Sequence, residues 1–430
     1  MSCWLGMKGW AVSEGRALVP KLRFPEFRRA EPWKPISLGE ASTPVTERVG
    51  ERKFTPVSIS AGVGFVPQAE KFGRDISGNQ YQLYTLVSDG DFVYNKGNSL
   101  KFPEGCVYLL QNWGQVAAPN VFICFRLKEG FSNVFFQNCF EANAHGKQLK
   151  KHITSGARSN GLLNISKEAF YGVEILAPGS AEQQKVADCL SSLDELIAAQ
   201  ARKVDALKSH KKGLMQQLFP REGEAQPRLR FLEFGNAKEW DPKTIGQLGE
   251  VVTGSTPSTA KPEYYGGERL FASPADISDN RFIEKTKTTL TELGFRETRP
   301  IKANSILVVC IGSTIGKIVQ NKRECATNQQ INSVIPNSEN SDGFVYYALS
   351  GIADKIANLA GRQAVPIVNK SLFSSVELPA PKLPEQKRIA DCLSSLDETI
   401  FAETQELKAL KTHKKGLMQR LFPSTEAIEA

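Results

Sequence analysis

A segment that occurs twice at a fixed spacing constrains this chain more than any other feature. Glu182–Pro220 returns at Glu385–Pro423, shifted by 203 positions, without gaps and with roughly two-thirds identity. A period near 200 residues is too long for one solenoid unit, so the chain reads as a duplicated module of domain plus helix. Within each copy the apolar residues step by four and three. They are Val186, Leu190, Leu193, Ile197, Val204, Leu207, Leu214 and Leu218 in the first copy, and Ile389, Leu393, Leu396, Ile400, Leu407, Leu410, Leu417 and Leu421 in the second. This is a heptad seam. Gln200 and Glu403, then Lys211 and Lys414, interrupt it at matching places.

The end signals also match. Ser180 with Gln183 three residues on reads as a capping box, and Pro384 stands in the first turn of the second copy. Lysines at 208, 211 and 212, and at 411, 414 and 415, suit the negative end of the helix dipole, and Pro220 and Pro423 stop the runs. The spacing leaves open whether Gly213 and Gly416 end the helices or lie inside them. Two arrangements are open for the seams: each helix packs on its own domain, or the two pack on each other as an antiparallel coiled coil. In the second, near-identical helices are related by a pseudo-two-fold axis.

A second repeated sign precedes each variable block. Pro20–Phe27 with Trp33 is echoed by Pro227–Phe234 with Trp240. The chain therefore divides into an N-terminal segment (1–27), a first block (28–179), a central helix (180–220), a linker with the repeated marker (221–234), a second block (235–381), a distal helix (382–423) and a tail (424–430). Strand-like runs appear at Phe54–Ser60, Val121–Phe125 and Ile306–Ile311, and helical patterns at Phe131–Ala142 and Phe344–Leu359. Both blocks read as mixed α/β, yet their sequences are strongly dissimilar. The fold class is α/β, with two mixed α/β domains separated by two long helices that form an antiparallel, pseudo-two-fold coiled coil.

With 41% hydrophobic and 23% charged residues, the 430-residue chain has the composition of a soluble globular protein of two or three domains. No apolar run reaches membrane-spanning length and no secretory signal is evident, so the expected location is the cytoplasm. The eight cysteines form no CxxC pair, which fits a reduced compartment. A net charge of +8 permits a polyanionic partner without demanding one.

Catalytic motifs fail on inspection. Gly312–Lys317 follows a strand like a phosphate-binding loop, but it lacks one residue between the glycines, and Ile318 replaces the Mg²⁺-binding hydroxyl. Asp276, Glu284 and Lys287 are too loosely spaced to define a nuclease, and the four histidines form no ligand cluster. Amides and cations are more suggestive, because Asn, Gln and Arg read base edges while Lys steers to phosphates. Such groups cluster at Tyr94–Lys96, Lys147–His152 with Arg158, Thr327–Gln330, and Arg362 with Gln363.

Together these residues resemble the specificity subunits of type I restriction-modification systems. The resemblance rests on Pro384–Ile400 and His413–Pro423 as the distal repeat, and on their first copies as the central one. It rests also on Thr253–Ser258, Tyr264–Gly267, Gly312–Lys317 and Ala326–Ile331 in the second block, and more loosely on Gly90–Asn95 in the first. Ala181 and Gln184 depart from the Pro384 and Lys387 of the second copy. The resemblance implies two target recognition domains that each read half of an asymmetric DNA site, with the helices as a ruler. It also implies docking of two methyltransferase subunits and of restriction motor subunits. No cofactor is expected in this chain; S-adenosylmethionine, ATP and Mg belong to the partner subunits. The DNA-binding candidates are Lys96, Lys147, Lys151 and Arg158 in the first block, and Ser255, Thr256, Ser313, Lys317, Asn328, Gln329 and Arg362 in the second. The helix–helix seam candidates are Leu190, Leu193, Ile197, Leu207, Leu393, Leu396, Ile400 and Leu410. Two alternatives remain: a coiled-coil scaffold without DNA readout, and a self-contained DNA methyltransferase or nuclease.

Overall fold

The computed structural model describes residues 19–97, 102–153, 163–278, 280–361 and 366–423. The chain gathers into two compact units, one made of the chain up to Ala199 together with the chain from Leu407, the other of Gln200–Glu406.

Each unit is built on the same sheet. In the first, strands Ser42–Pro44, Ile123–Leu127, Asp91–Asn95 and Cys106–Leu109 lie side by side in that order, all antiparallel. In the second, Gly249–Thr253, Ile331–Pro336, Ile306–Val309 and Ile318–Asn321 repeat this order, and Phe282–Ile283 adds a parallel edge strand. A smaller sheet accompanies each. Thr55–Ser60 pairs antiparallel with Gly64–Pro67 and parallel with Gln115–Ala118; Tyr265–Ala272 does the same with Thr288–Leu290 and Ala326–Thr327. The blocks are thus dissimilar in sequence and loops but share a core topology. The helical pattern expected over Phe344–Leu359 breaks into Asp342–Gly351 and Ala353–Asn358, because Ile352, with φ −111° and ψ 16°, leaves the helical basin.

The repeated marker has a physical purpose in each unit. Arg23 donates from Nε and Nη2 to the two carboxylate oxygens of Glu182 at 2.8 and 2.6 Å, and its Nη atoms also donate to the carbonyls of Ala30 and Glu31. The Trp33 indole donates to the same carboxylate at 3.2 Å. Arg230, Glu385 and Trp240 reproduce this clamp at 2.8, 2.7 and 3.3 Å, with Ala237 and Lys238 as the carbonyl partners. Beside each clamp a short strand after the marker pairs antiparallel with the strand before the long helix: Lys34–Ser37 with Glu174–Ala177, and Asp241–Thr244 with Glu377–Ala380.

The long helices span Ser180–Leu218 and Leu383–Leu421, so Gly213 and Gly416 lie inside them. The capping box expected at Ser180 and Gln183 does not form. Ser180 already sits in the first turn, where the Gly179 carbonyl accepts from the amides of Glu182 and Gln183. The Gln183 side chain bridges instead, donating to Pro178 O and accepting from the backbone N–H of Ser132, the N-cap of helix Asn133–Glu141. Gln386 makes the equivalent bridge from Pro381 O to the N–H of Ser341, the N-cap of Asp342–Gly351. Buried amides with both ends engaged fix the entry of each long helix onto its domain.

Domain cores take part of the expected seam. Leu190, with Val186 and Ala187, is buried in the first unit's core; Leu393, with Ile389 and Ala390, is buried in the second's. The same clusters hold the end of the other long helix, Leu421 in the first unit and Leu218 in the second, so domain and helix bury these positions together. Leu193, Ile197, Leu207, Leu396, Ile400 and Leu410 are half-buried, and Val204 is fully buried. The polar interruptions find partners inside each unit. In the second, Gln200 Nε2 donates to Glu403 Oε2 at 2.6 Å, Lys203 pairs with Glu403 at 2.7 Å, and Lys211 pairs with Asp397. In the first, Lys414 pairs with Asp194 at 2.7 Å. Lys211–Asp397 and Asp194–Lys414 are the same two positions under the shift of 203. Among the described residues no helix is long and apolar enough to cross a membrane.

Candidate nucleic-acid interface

In the second unit the structure brings most of the predicted residues together. The loop after strand Gly249–Thr253 runs alongside Thr327–Gln330, with Ser255 N donating to Thr327 O at 2.9 Å and Gly254 N to Ile331 O at 3.1 Å. Thr256 Oγ1 donates to Gln329 Oε1 at 2.6 Å, tying the two loops by their exposed side chains. Gly254 permits this approach: a Cβ there would lie 2.2 Å from Asn328 O and 2.3 Å from Thr327 O. Gly254→Ala is therefore expected to wedge the two loops apart while the unit stays folded. Faster hydrogen exchange at the amides of Gly254 and Ser255, which bond across the loops, with circular dichroism as the fold control, reads both effects.

The Gly312–Lys317 turn joins this cluster. Cys310 N donates to Gln330 O at 2.8 Å, and Gln330 Nε2 approaches Ile311 O at 3.5 Å. Gly312 and Gly316 have φ of 98° and 89°, conformations that favour glycine. Half-buried Ile315 packs against the unit's core, while Ser313 and Lys317 remain exposed. The turn is a surface hairpin anchored by an apolar residue rather than a nucleotide cradle. Asn328 has a different task from Gln329. Its Oδ1 accepts from Gln330 N at 3.1 Å and its Nδ2 donates to Gln330 Oε1 at 3.0 Å, so its amide is used in shaping the loop.

Two groups beyond the candidate residues belong here. Arg299 donates from its backbone N–H to Ser255 Oγ at 3.2 Å and from Nη1 to Thr253 O at 3.0 Å, placing an exposed cation beside the loop. Sequence reasoning missed it because Arg299 lies 44 positions from Ser255, with no motif linking them. Gln330 is the other, through its bonds to Asn328.

In the first unit the described candidates fall on different elements. Tyr94, expected beside the cations, is fully buried and stacked on Phe170 with ring centroids 4.6 Å apart, and its hydroxyl donates to Glu104 O. Asn95 donates to Ile59 O and accepts from Gly97 N, and half-buried Lys96 donates to Ile165 O at 3.2 Å. Lys147 and Lys151 are exposed on and just after the short helix Gly146–Lys150, which Leu149 anchors in the core. Arg158 and Arg362 lie outside the described residues. Of the loosely spaced nuclease-like residues, Asp276 meets Lys287 through the backbone N–H of the lysine. Asp276 also accepts from Ser273, and Glu284 pairs with Lys322 on the surface.

Residues 237–412 match the type I restriction modification DNA specificity domain. The chain is 32% identical over 188 residues to the type I restriction enzyme HindI specificity subunit of Haemophilus influenzae, covering 43% of this chain and 41% of that protein. It is 30% identical over 197 residues to the MjaIX specificity subunit of Methanocaldococcus jannaschii, covering 45% and 46%. The chain thus matches less than half the length of these two relatives. A crystal structure of the type I restriction-modification S subunit from M. genitalium has a similar fold, with a TM-score of 0.62 over 94% of this chain and 99% of that one at 16% identity.

Proposed function

We propose that this chain belongs to the type I restriction-modification specificity-subunit family and is the non-catalytic DNA-reading subunit of its complex. Each recognition domain reads one half of an asymmetric, interrupted DNA site, and the two long helices pack antiparallel about a pseudo-two-fold axis to set the distance between the halves. The observation that carries this reading is one sheet core made twice with unlike loops, each copy held to its long helix by the same Arg–Glu–Trp clamp. Like frames with unlike loops favour two different half-sites. Near-identical helices favour the same partner bound twice, a methyltransferase subunit, with restriction motor subunits added for cleavage. S-adenosylmethionine, ATP and Mg then belong to those partners. A helix of 39 residues is about 58 Å long, enough to separate two domains by about one DNA turn of roughly 34–36 Å.

Genome-wide detection of modified bases tests the proposal, in cells with and without this gene and with its methyltransferase co-expressed. Loss of methylation at one asymmetric, interrupted motif on deletion is the expected result. A protein that binds the methyltransferase yet leaves every methylated motif unchanged would be the scaffold without readout. Lys317, exposed on the glycine turn, is expected to meet a phosphate. Lys317→Ala should then weaken binding to all sequences alike and reduce the slope of log affinity against log salt by about one. A changed recognition sequence would assign Lys317 to base reading instead.

A further inference from the structure

We infer that Gln329 reads the major-groove edge of an adenine, and that Thr256 is the positioning residue that fixes its amide. The inference rests on the proposed DNA-reading function and names the base class at that site. Three consecutive amides occupy this loop, and two are consumed by its own structure: Asn328 and Gln330 bond to each other, and Gln330 also approaches Ile311 O. Gln329 is exposed and differs from both. Its Oε1 accepts from Thr256 Oγ1 at 2.6 Å, and its amide nitrogen donates to nothing among the described residues.

A carboxamide oxygen has two lone pairs, so one stays open beside two free N–H donors. An acceptor and a donor side by side complement the N6 amino group and N7 of adenine. Interchanging the amide's oxygen and nitrogen would leave the same complement, since the Thr256 hydroxyl can donate or accept. Anchoring by Thr256 restricts the side chain before DNA arrives, which lowers the ordering cost of binding. Exposed Lys317 and Arg299 on adjoining loops supply positive charge for the phosphates.

The test uses the full chain co-expressed and co-purified with its methyltransferase. Gln329→Ala should relax one A·T position in one half of the methylated motif, reducing discrimination there by about ten- to a hundredfold, while the other half is unchanged. Thr256→Val should relax the same position to a smaller degree. Replacing the adenine at that position by 7-deazaadenine should weaken binding by the unsubstituted protein and leave Gln329→Ala binding unaffected. An unchanged motif, relaxation at a G·C position, or indifference of the unsubstituted protein to 7-deazaadenine at every adenine of that half-site overturns the inference alone. Absence of any interrupted motif with the unsubstituted chain overturns the DNA-reading function with it.

Discussion

Arg23→Ala is expected to destabilise the first unit by about 3–5 kcal/mol, the usual cost of removing one partner from a buried ion pair. The Arg23 and Glu182 side chains are only 6% and 4% exposed, so the remaining carboxylate cannot turn to water. Its other side-chain donor among the described residues is the Trp33 indole, too little to compensate a buried charge. Arg230→Ala should act the same way on the second unit, where the pair is 10% and 4% exposed. Replacing both partners by apolar residues, as in Arg23→Met with Glu182→Leu, should recover only part of the loss, because the desolvation cost disappears with the charges but the buried Trp33 indole N–H loses its acceptor. Urea unfolding of the full chain followed by hydrogen exchange reads the effect and the unit it falls on. A loss below about 1 kcal/mol for Arg23→Ala would remove the clamp from its structural role.

The duplicated frame is legible because repetition needs no knowledge of contacts. The shift of 203, the two markers and the two polar interruptions are all visible in the sequence. Their partners are not, since Arg23 lies 159 positions from Glu182 and no local spacing links them. The capping box at Ser180 and Gln183 misleads for the same reason: a long-range donor at Ser132 competes for the Gln183 amide and wins. At Leu190 and Leu393 periodicity marks a buried face without saying what buries it, and there the domain core shares the burial with the end of the other long helix. In the second block the loops that meet are already distinctive in sequence. In the first, Tyr94 reads as a surface ring beside Asn95 and Lys96, whereas its strand runs through the core and buries it. The common sheet order of the two blocks is invisible, because buried β positions accept many apolar residues and preserve pattern rather than identity.

Seven residues added to both long helices should widen the unspecified spacer of the DNA site by about three base pairs and leave both half-sites intact. A heptad lengthens a helix by about 10.5 Å, and base pairs are stacked about 3.4 Å apart. Placement decides whether the pairing survives. Gln200 bonds to Glu403, so a copy of Ala201–Leu207 inserted after Gln200 and a copy of Leu396–Ala402 inserted before Glu403 would lie opposite each other. Lys211 then keeps its place relative to Asp397, and Asp194 keeps its place relative to Lys414. The duplicated segments carry Val204, Leu207, Leu396 and Ile400, so the seam continues in phase. Four-residue insertions at the same points form a stutter that locally unwinds the supercoil, so a smaller widening with weaker methylation is expected. Methylated-base mapping of the lengthened protein reads the spacer directly, and an unchanged spacer with full methylation would sink the ruler.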